Sequence, residues 1–284
     1  MPQVFHHSFV RASLAVAMLL AASGSTALAR EGSVFLTGHD PDFHAQLGGN
    51  AAGAQHINQA AISFVTNPAF NPYAAAGVSK FLFVESSISP PGGHTDGVNG
   101  IIASGYTQGV NFDRVDASTL NTALNQLGTN YSAIVVASDF GGILTQAELD
   151  ILNARAGDIF NFVNSGGGLY AMAEGNSGAG LTPNGGWFGF VPSVIASSNL
   201  NQSESGFTVT PFGASLGLSD NDINGNASHN IFTRPGGLNV VDVDANGNIM
   251  SLAGHINIPA PSSGILLAIA GLGACRRRRS HTPA

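Results

Sequence analysis

Between Tyr131 and Gly175 the order of residues leaves little freedom in local structure. Tyr131-Ser-Ala-Ile-Val-Val-Ala-Ser-Asp139 is a short apolar run rich in β-branched residues that ends in polar ones, the profile of a strand buried on both faces. After the loop Phe140-Gly-Gly-Ile-Leu144, Thr145-Gln-Ala-Glu148 forms a capping box. The threonine hydroxyl takes an orphan amide and the glutamate reaches back, so the sequence predicts a helix start here. Leu149, Leu152, Ala156, Ile159, Phe160 and Val163 recur at helical spacing and make one apolar stripe fit to lie on a sheet. Gly166, Gly167 and Gly168 end that helix, and Leu169-Tyr-Ala-Met-Ala-Glu174 opens the next strand. The unit is βαβ, with parallel strands and, by a strong rule, a right-handed crossover.

The rest of the body extends the same alternation. Ser33-Val-Phe-Leu-Thr37 is a buried-strand run that empties into the polar loop Gly38-His-Asp-Pro-Asp-Phe-His44. A loop at the carboxyl end of a first parallel strand is where open α/β sheets keep their ligands. A helix is predicted over 51–65, a strand over 80–85, a short helix over 98–106, a short strand over 109–115 and an amphipathic helix over 119–127. Past Glu174 a glycine- and asparagine-rich loop runs to Gly189 and holds the sole tryptophan, Trp187. Phe207-Thr-Val-Thr-Pro211 reads as an edge strand, and 239–243 with 249–252 flank Asp244-Ala-Asn-Gly247 as a hairpin. No internal repeat is visible.

Both ends read as address labels. Residues 1–29 carry His6, His7 and Arg11, then an apolar run, then Ala27-Leu-Ala29, the three parts of a secretory signal peptide with cleavage expected between Ala29 and Arg30. At the far end Pro259-Ala260-Pro261 leads into a glycine- and alanine-rich apolar stretch closed by Arg276, Arg277, Arg278 and Arg279. An apolar segment followed by arginines stops in a membrane with its cations on the cytoplasmic side, and this one is short for a full span, which suits transient membrane contact. The organisation is thus 1–29 signal peptide, 30–255 α/β body and 256–284 tail.

Only 10% of the residues are charged. All 17 acidic residues lie between Glu31 and Asp244, while the body keeps only Arg30, Lys80, Arg114, Arg155 and Arg234 as basic residues. So acidic a body is a poor partner for nucleic acid, and leaves cations or neutral polysaccharide as candidates. Cys275, the only cysteine, sits in the tail, so the body has neither disulfide nor thiol chemistry.

The tail resembles the PEP-CTERM sorting signal of bacterial envelope proteins, with Ala260 where that motif carries its central glutamate. The resemblance implies secretion machinery and an exosortase-like sorting enzyme as partners, and the cell envelope, cell surface or extracellular matrix as destination. The body resembles the class I glutamine amidotransferase-like fold, a flavodoxin-like three-layer sandwich with a mainly parallel sheet, here with small β additions near the C-terminus. The residues that carry this are Val34-Phe-Leu-Thr-Gly-His-Asp40, Ile134-Val-Val-Ala-Ser-Asp139, Phe162-Val-Asn-Ser-Gly-Gly-Gly-Leu169 and His229-Asn-Ile-Phe-Thr-Arg-Pro-Gly-Gly-Leu238, closest to the ThuA-like branch. In active amidotransferases the strand after the triple glycine delivers a cysteine on a tight elbow. The matching position is Ala173, which has no nucleophilic atom.

The remaining chemistry concentrates at strand ends. His39, Asp40, His94, Glu174 and His229 form a candidate ligand cleft, with Asp42 and His44 in the same first loop. As a His/carboxylate set it would suit a zinc-like metal; as loop residues they need do nothing more than make turns. Asp242, Asp244 and Asn246 match the start of a calcium loop, as do Asp220, Asp222 and Asn224, yet both runs lack the bidentate carboxylate at the twelfth position and read also as turns. Ser138, Asp139 and His229 hold the residue types of a hydrolytic triad without a Gly-x-Ser-x-Gly elbow. No cofactor is firmly indicated; a divalent metal is the one left open. The leading expectation is an exported, surface-sorted, non-catalytic binding or matrix protein. A secreted metal-assisted hydrolase acting on carbohydrate or a small polar substrate, and a calcium-stabilised adhesion module, are the alternatives.

Overall fold

The computed structural model describes residues 31–86, 97–139, 143–175, 181–182, 187–192, 195–203 and 205–256. The expected signal-peptide junction at Ala29 and Arg30, the expected sorting residues from Pro259 to Arg279, and His94 lie outside that set.

Five strands run parallel: β1 (Gly32–Thr37), β2 (Phe81–Val84), β3 (Phe112–Val115), β4 (Ala133–Val136) and β5 (Gly168–Ala171). Their order is β3-β2-β4-β5-β1. The βαβ unit read from the sequence is present, with β4 and β5 paired in parallel from Ala133↔Gly168 to Val136↔Ala171. These strands are apolar on both sides because both sides are covered. Phe81 and Phe83 join one core cluster and Leu82 and Val84 the other, as alternation along a pleated strand requires.

On the first face lie α2 (Ala51–Val65) and α4 (Gly97–Ala103), which follow the short turn helices α1 (Pro41–His44) and, after α2, α3 (Pro72–Ala75). On the second lie α5 (Leu120–Leu124), α6 (Gln146–Ala154) and α7 (Ala156–Asn164). The α2 boundaries are those predicted, set at the start by Asn50, whose side chain accepts from Gly53 N–H at 3.1 Å. Glu148 does reach back to the Thr145 N–H at 3.0 Å, and its other oxygen accepts from Ala117 at 2.9 Å.

Two expectations need correction. The stripe from Leu149 to Val163 is carried by two helices rather than one, because Arg155 leaves helical geometry at φ −101°, ψ 15°. Its guanidinium is turned onto Asn121, Asn125 and Asp158, and this holds the break. The β additions are also far from small. The chain adds β6 (Ala196–Ser203), β7 (Thr208–Val209), β8 (Ser228–Arg234), β9 (Asn239–Val243) and β10 (Ile249–Ile256), with the short helices α8 (Pro211–Ser215) and α9 (Asp220–Ile223) between β7 and β8. β10 pairs antiparallel with the whole length of β1, Gly32↔Ile256 to Thr37↔Ser251, and β8 and β6 continue outward from β10. The protein is therefore α/β with a mixed ten-stranded sheet, in which β1 is the seam between a parallel half and an antiparallel half. The predicted β9–β10 hairpin is present, and the predicted edge strand near Phe207 is the short β7 paired to β9.

Candidate functional site

The reversal of strand order falls at β2, with β3 on one side and β4 on the other, and ligands of open parallel sheets gather at the carboxyl ends beside such a point. Here those ends are acidic. Glu85 follows β2; Asp139 and Glu174 follow β4 and β5, each at the same offset from the paired residues Val136 and Ala171. β1 exits through Thr37-Gly38-His39-Asp40. The exits are stitched together by backbone bonds from Asp139 N–H to the Ala173 carbonyl at 2.8 Å and from Ala173 N–H to the His39 carbonyl at 3.1 Å.

Asp139 is fully buried, and neither oxygen of its carboxyl group has a hydrogen-bond partner. Glu174 is fully buried too: Oε2 accepts from the Phe188 N–H at 2.6 Å while Oε1 has no partner. Burial pushes Asp139 up to about 9, with the charges of Glu174, Asp40 and Asp42 adding to the push. Burial pushes Glu174 up to about 8. Both groups therefore hold a proton near neutral pH, the condition in which buried like charges avoid one another. Asp42 is raised by burial to about 6, held from going further by the Ser138 N–H that its Oδ2 accepts at 2.8 Å. Gly97 is required beside it, since a β-carbon there would lie 2.9 Å from both Asp42 Oδ2 and Glu85 Oε2. Glu85 in turn accepts from the Val98 N–H at 3.0 Å and pairs with Arg114.

Histidines border this acidic floor. Asp40 lies 3.3 Å from His229 Nε2 and 3.4 Å from His44 Nε2, the latter misaligned for a hydrogen bond. His39 turns elsewhere: Nδ1 meets the Ala227 carbonyl at 3.2 Å and Nε2 meets Asp242 at 2.9 Å, with Phe207 packed edge-on to the ring. Burial, the largest single influence, lowers its pKa, but the Asp242 carboxylate, the Ala227 carbonyl and the charge of Asp40 together raise it, and two acceptors on one ring call for two N–H groups. His39 is thus a buried cation whose nitrogens are both committed.

Of the predicted cleft residues, the fold brings His229 to Asp40, sets Glu174 just past the end of β5 against the Phe188 N–H, gives His39 to Asp242, and leaves His94 outside the described set. Among the described residues no three His, Asp or Glu side chains are arranged to hold a metal ion. In the calcium-like run Asp242 is taken by His39, while Asp244 accepts from the N–H groups of Asn246 and Asn248 and from the Asn248 amide, closing the hairpin turn. In the second run Asp220 accepts from Val209 N–H, and Asp222 from Ser219 with His56 alongside. Ser138 Oγ has no partner and His229 faces Asp40, so Ser138, Asp139 and His229 form no triad.

Two features of the site escape sequence reasoning. Asn230, from β8, takes the N–H groups of Glu174 and Gly175 on its amide oxygen at 2.8 and 2.7 Å and so sets the exit of β5. Phe188 holds φ 59°, the one non-glycine positive φ among the described residues, costing about 1–2 kcal/mol. Its N–H bond to Glu174 and its ring against Phe232 keep it there. The pairing of Asp139 with Glu174 did leave a sequence signal, a carboxylate at the same offset past two adjacent buried strands. Ala173 sits among these groups without positive φ, so the chain passes it without the strained elbow of a nucleophile site.

No family model matches the chain, and no curated protein or solved structure matches it.

Proposed function

We propose that this chain is an exported, surface-sorted binding protein that holds a small polar ligand in the carboxyl-lined cleft at the ends of β4, β5 and β1. The observation that carries the reading is the set of unpartnered oxygens on the fully buried Asp139 and Glu174, since native proteins leave few buried polar atoms without partners and each such atom needs an explanation. A scaffold of the flavodoxin-like, amidotransferase-like class is supported by strand order. If β2 is counted first, β3-β2-β4-β5-β1 becomes the flavodoxin order 2-1-3-4-5, with the chain's own first strand in the fifth place. Ala173 supports the absence of thiol chemistry. Export, exosortase-like sorting of the tail and transient membrane contact rest on the two terminal signals, and neutral polysaccharide remains the polymer best matched to so acidic a composition.

The test is a calorimetric panel of small polar compounds and surface polysaccharides against wild type, Asp139→Asn and Glu174→Gln. A ligand whose binding is lost in both variants supports the cleft; binding indifferent to both rejects it. Mass measurement of the surface-recovered protein tests sorting, with loss of residues 1–29 and of the arginine cluster expected. A second reading, hydrolysis of a small polar substrate, is favoured by one feature: burial raises the Asp139 and Glu174 carboxyls to about 9 and about 8, the direction general acids need. Turnover abolished in either variant would support it.

A further inference from the structure

We infer that the ligand of the cleft carries a primary ammonium group, seated on the carboxyl oxygens of Asp139 and Glu174. This rests on the reading of the cleft as a binding site and adds the charge and chemical class of its occupant. Three carboxyl oxygens stand without partners, two on Asp139 and one on Glu174, and an ammonium group offers three N–H donors and no acceptor. The surroundings favour a cation. Burial is the main reason Asp139 resists ionising and would penalise an unpaired cation as well, but the neighbouring Glu174, Asp40 and Asp42 carboxyls add a field that disfavours an anion and favours a cation at the same place. The nearby positive groups are already engaged: His39 with Asp242, Arg114 with Glu85, and His229 and His44 beside Asp40. A metal ion fits less well, since among the described residues no three ligating side chains are arranged for one.

Seating an ammonium group requires at least one of the two carboxyl groups to ionise, so binding near neutral pH must release protons. The probe is ethanolamine, with ethylene glycol as its neutral counterpart, titrated into the full chain by calorimetry in two buffers of different ionisation enthalpy. Expected are binding of ethanolamine, binding of ethylene glycol weaker by about tenfold or more, and a buffer dependence equal to release of about one to two protons. Asp139→Asn should weaken ethanolamine by about tenfold or more. Its circular dichroism should stay native, because the Asp139 side chain has no hydrogen bond to lose; Glu174→Gln is the second variant. Equal binding of the glycol, binding without proton release, or ethanolamine binding retained in both variants overturns the inference. So does stoichiometric uptake of calcium or zinc that the same variants abolish, which would assign the site to a metal. Silence toward both probes also overturns it, while the binding reading itself stands or falls on the wider panel above.

Discussion

His39 and Asp242 are 203 residues apart in the chain and 2.9 Å apart in the fold, both fully buried. The pair fastens the exit of β1 to β9, so the loop after β1 is held from the antiparallel half of the sheet. Asp242→Asn should leave a buried imidazolium facing a neutral amide. The expected cost is about 3–5 kcal/mol of unfolding free energy, measured by urea denaturation, because removing one partner strands the other charge. A cost below about 1 kcal/mol would mean that His39 is neutral in the native state.

The pH dependence of stability should run opposite to that of a protein held by ionised carboxylates. Asp139 rises from 3.8 to about 9 and Glu174 from 4.5 to about 8, so between those limits the native state holds protons that the unfolded chain has lost. Stability must then fall as pH rises through that window. His39, also raised, adds stability below its unfolded value of 6.5 that is lost as pH climbs through its folded value. The urea midpoint should decrease steadily from about pH 5 to about pH 9, and Asp139→Asn should flatten the curve. A midpoint that rises over this range contradicts the assignment.

Gly38 lies between β8 and β10, and a β-carbon there would come within 2.1 Å of the Asn230 carbonyl oxygen. Gly38→Ala should cost about 1–3 kcal/mol, since backbone rather than a mobile side chain must give way. The displacement reaches Asn230, whose amide oxygen fixes Glu174 and Gly175, so ligand affinity should drop along with stability. Affinity unchanged at reduced stability would show that Asn230 does not position the cleft.

Asn71 is fully buried and uses its whole amide. Its nitrogen donates to the carbonyls of Val65 at 3.0 Å and Ser132 at 2.7 Å, and its oxygen accepts from Tyr73 and Ala74, each at 3.1 Å. Asn71→Asp turns the donor into an acceptor facing two carbonyls. The expected loss is about 1–3 kcal/mol for each carbonyl left without its donor, easing at acid pH where the new carboxyl can donate once. Chemical denaturation at two pH values checks both the size and the direction.

Much of the parallel half was legible because its strands are buried on two faces and so carry unbroken apolar runs. Phe81–Val84 and Ala133–Val136 announce themselves, and the Thr145–Glu148 pair marks a helix start by chemistry local to the chain. β6 was not legible: Ala-Ser-Ser-Asn-Leu-Asn-Gln-Ser has neither an apolar run nor a clean alternation, and it is a strand only because β8 offers it a ladder. The break at Arg155 depends on Asn121 and Asn125 from another helix, which no local pattern records. At the site, Asp40, Glu174 and His229 could be singled out by residue type and strand-end position. Asp139 and Glu174 stand at one offset past two strands of a single βαβ unit, a signal present in the sequence, whereas the removal of His39 to Asp242 depends on sheet order, a property of the whole chain.

The seating of β1 between β5 and β10 sets an order of events during synthesis. The strand made first has its two neighbours made late, at Gly168–Ala171 and at Ile249–Ile256. A nascent chain therefore cannot close its sheet until almost the last described residue has emerged. Chains stopped short of Ile249 would present the flank of β1 as a bare ladder of unpaired peptide groups, the feature that invites pairing with other chains.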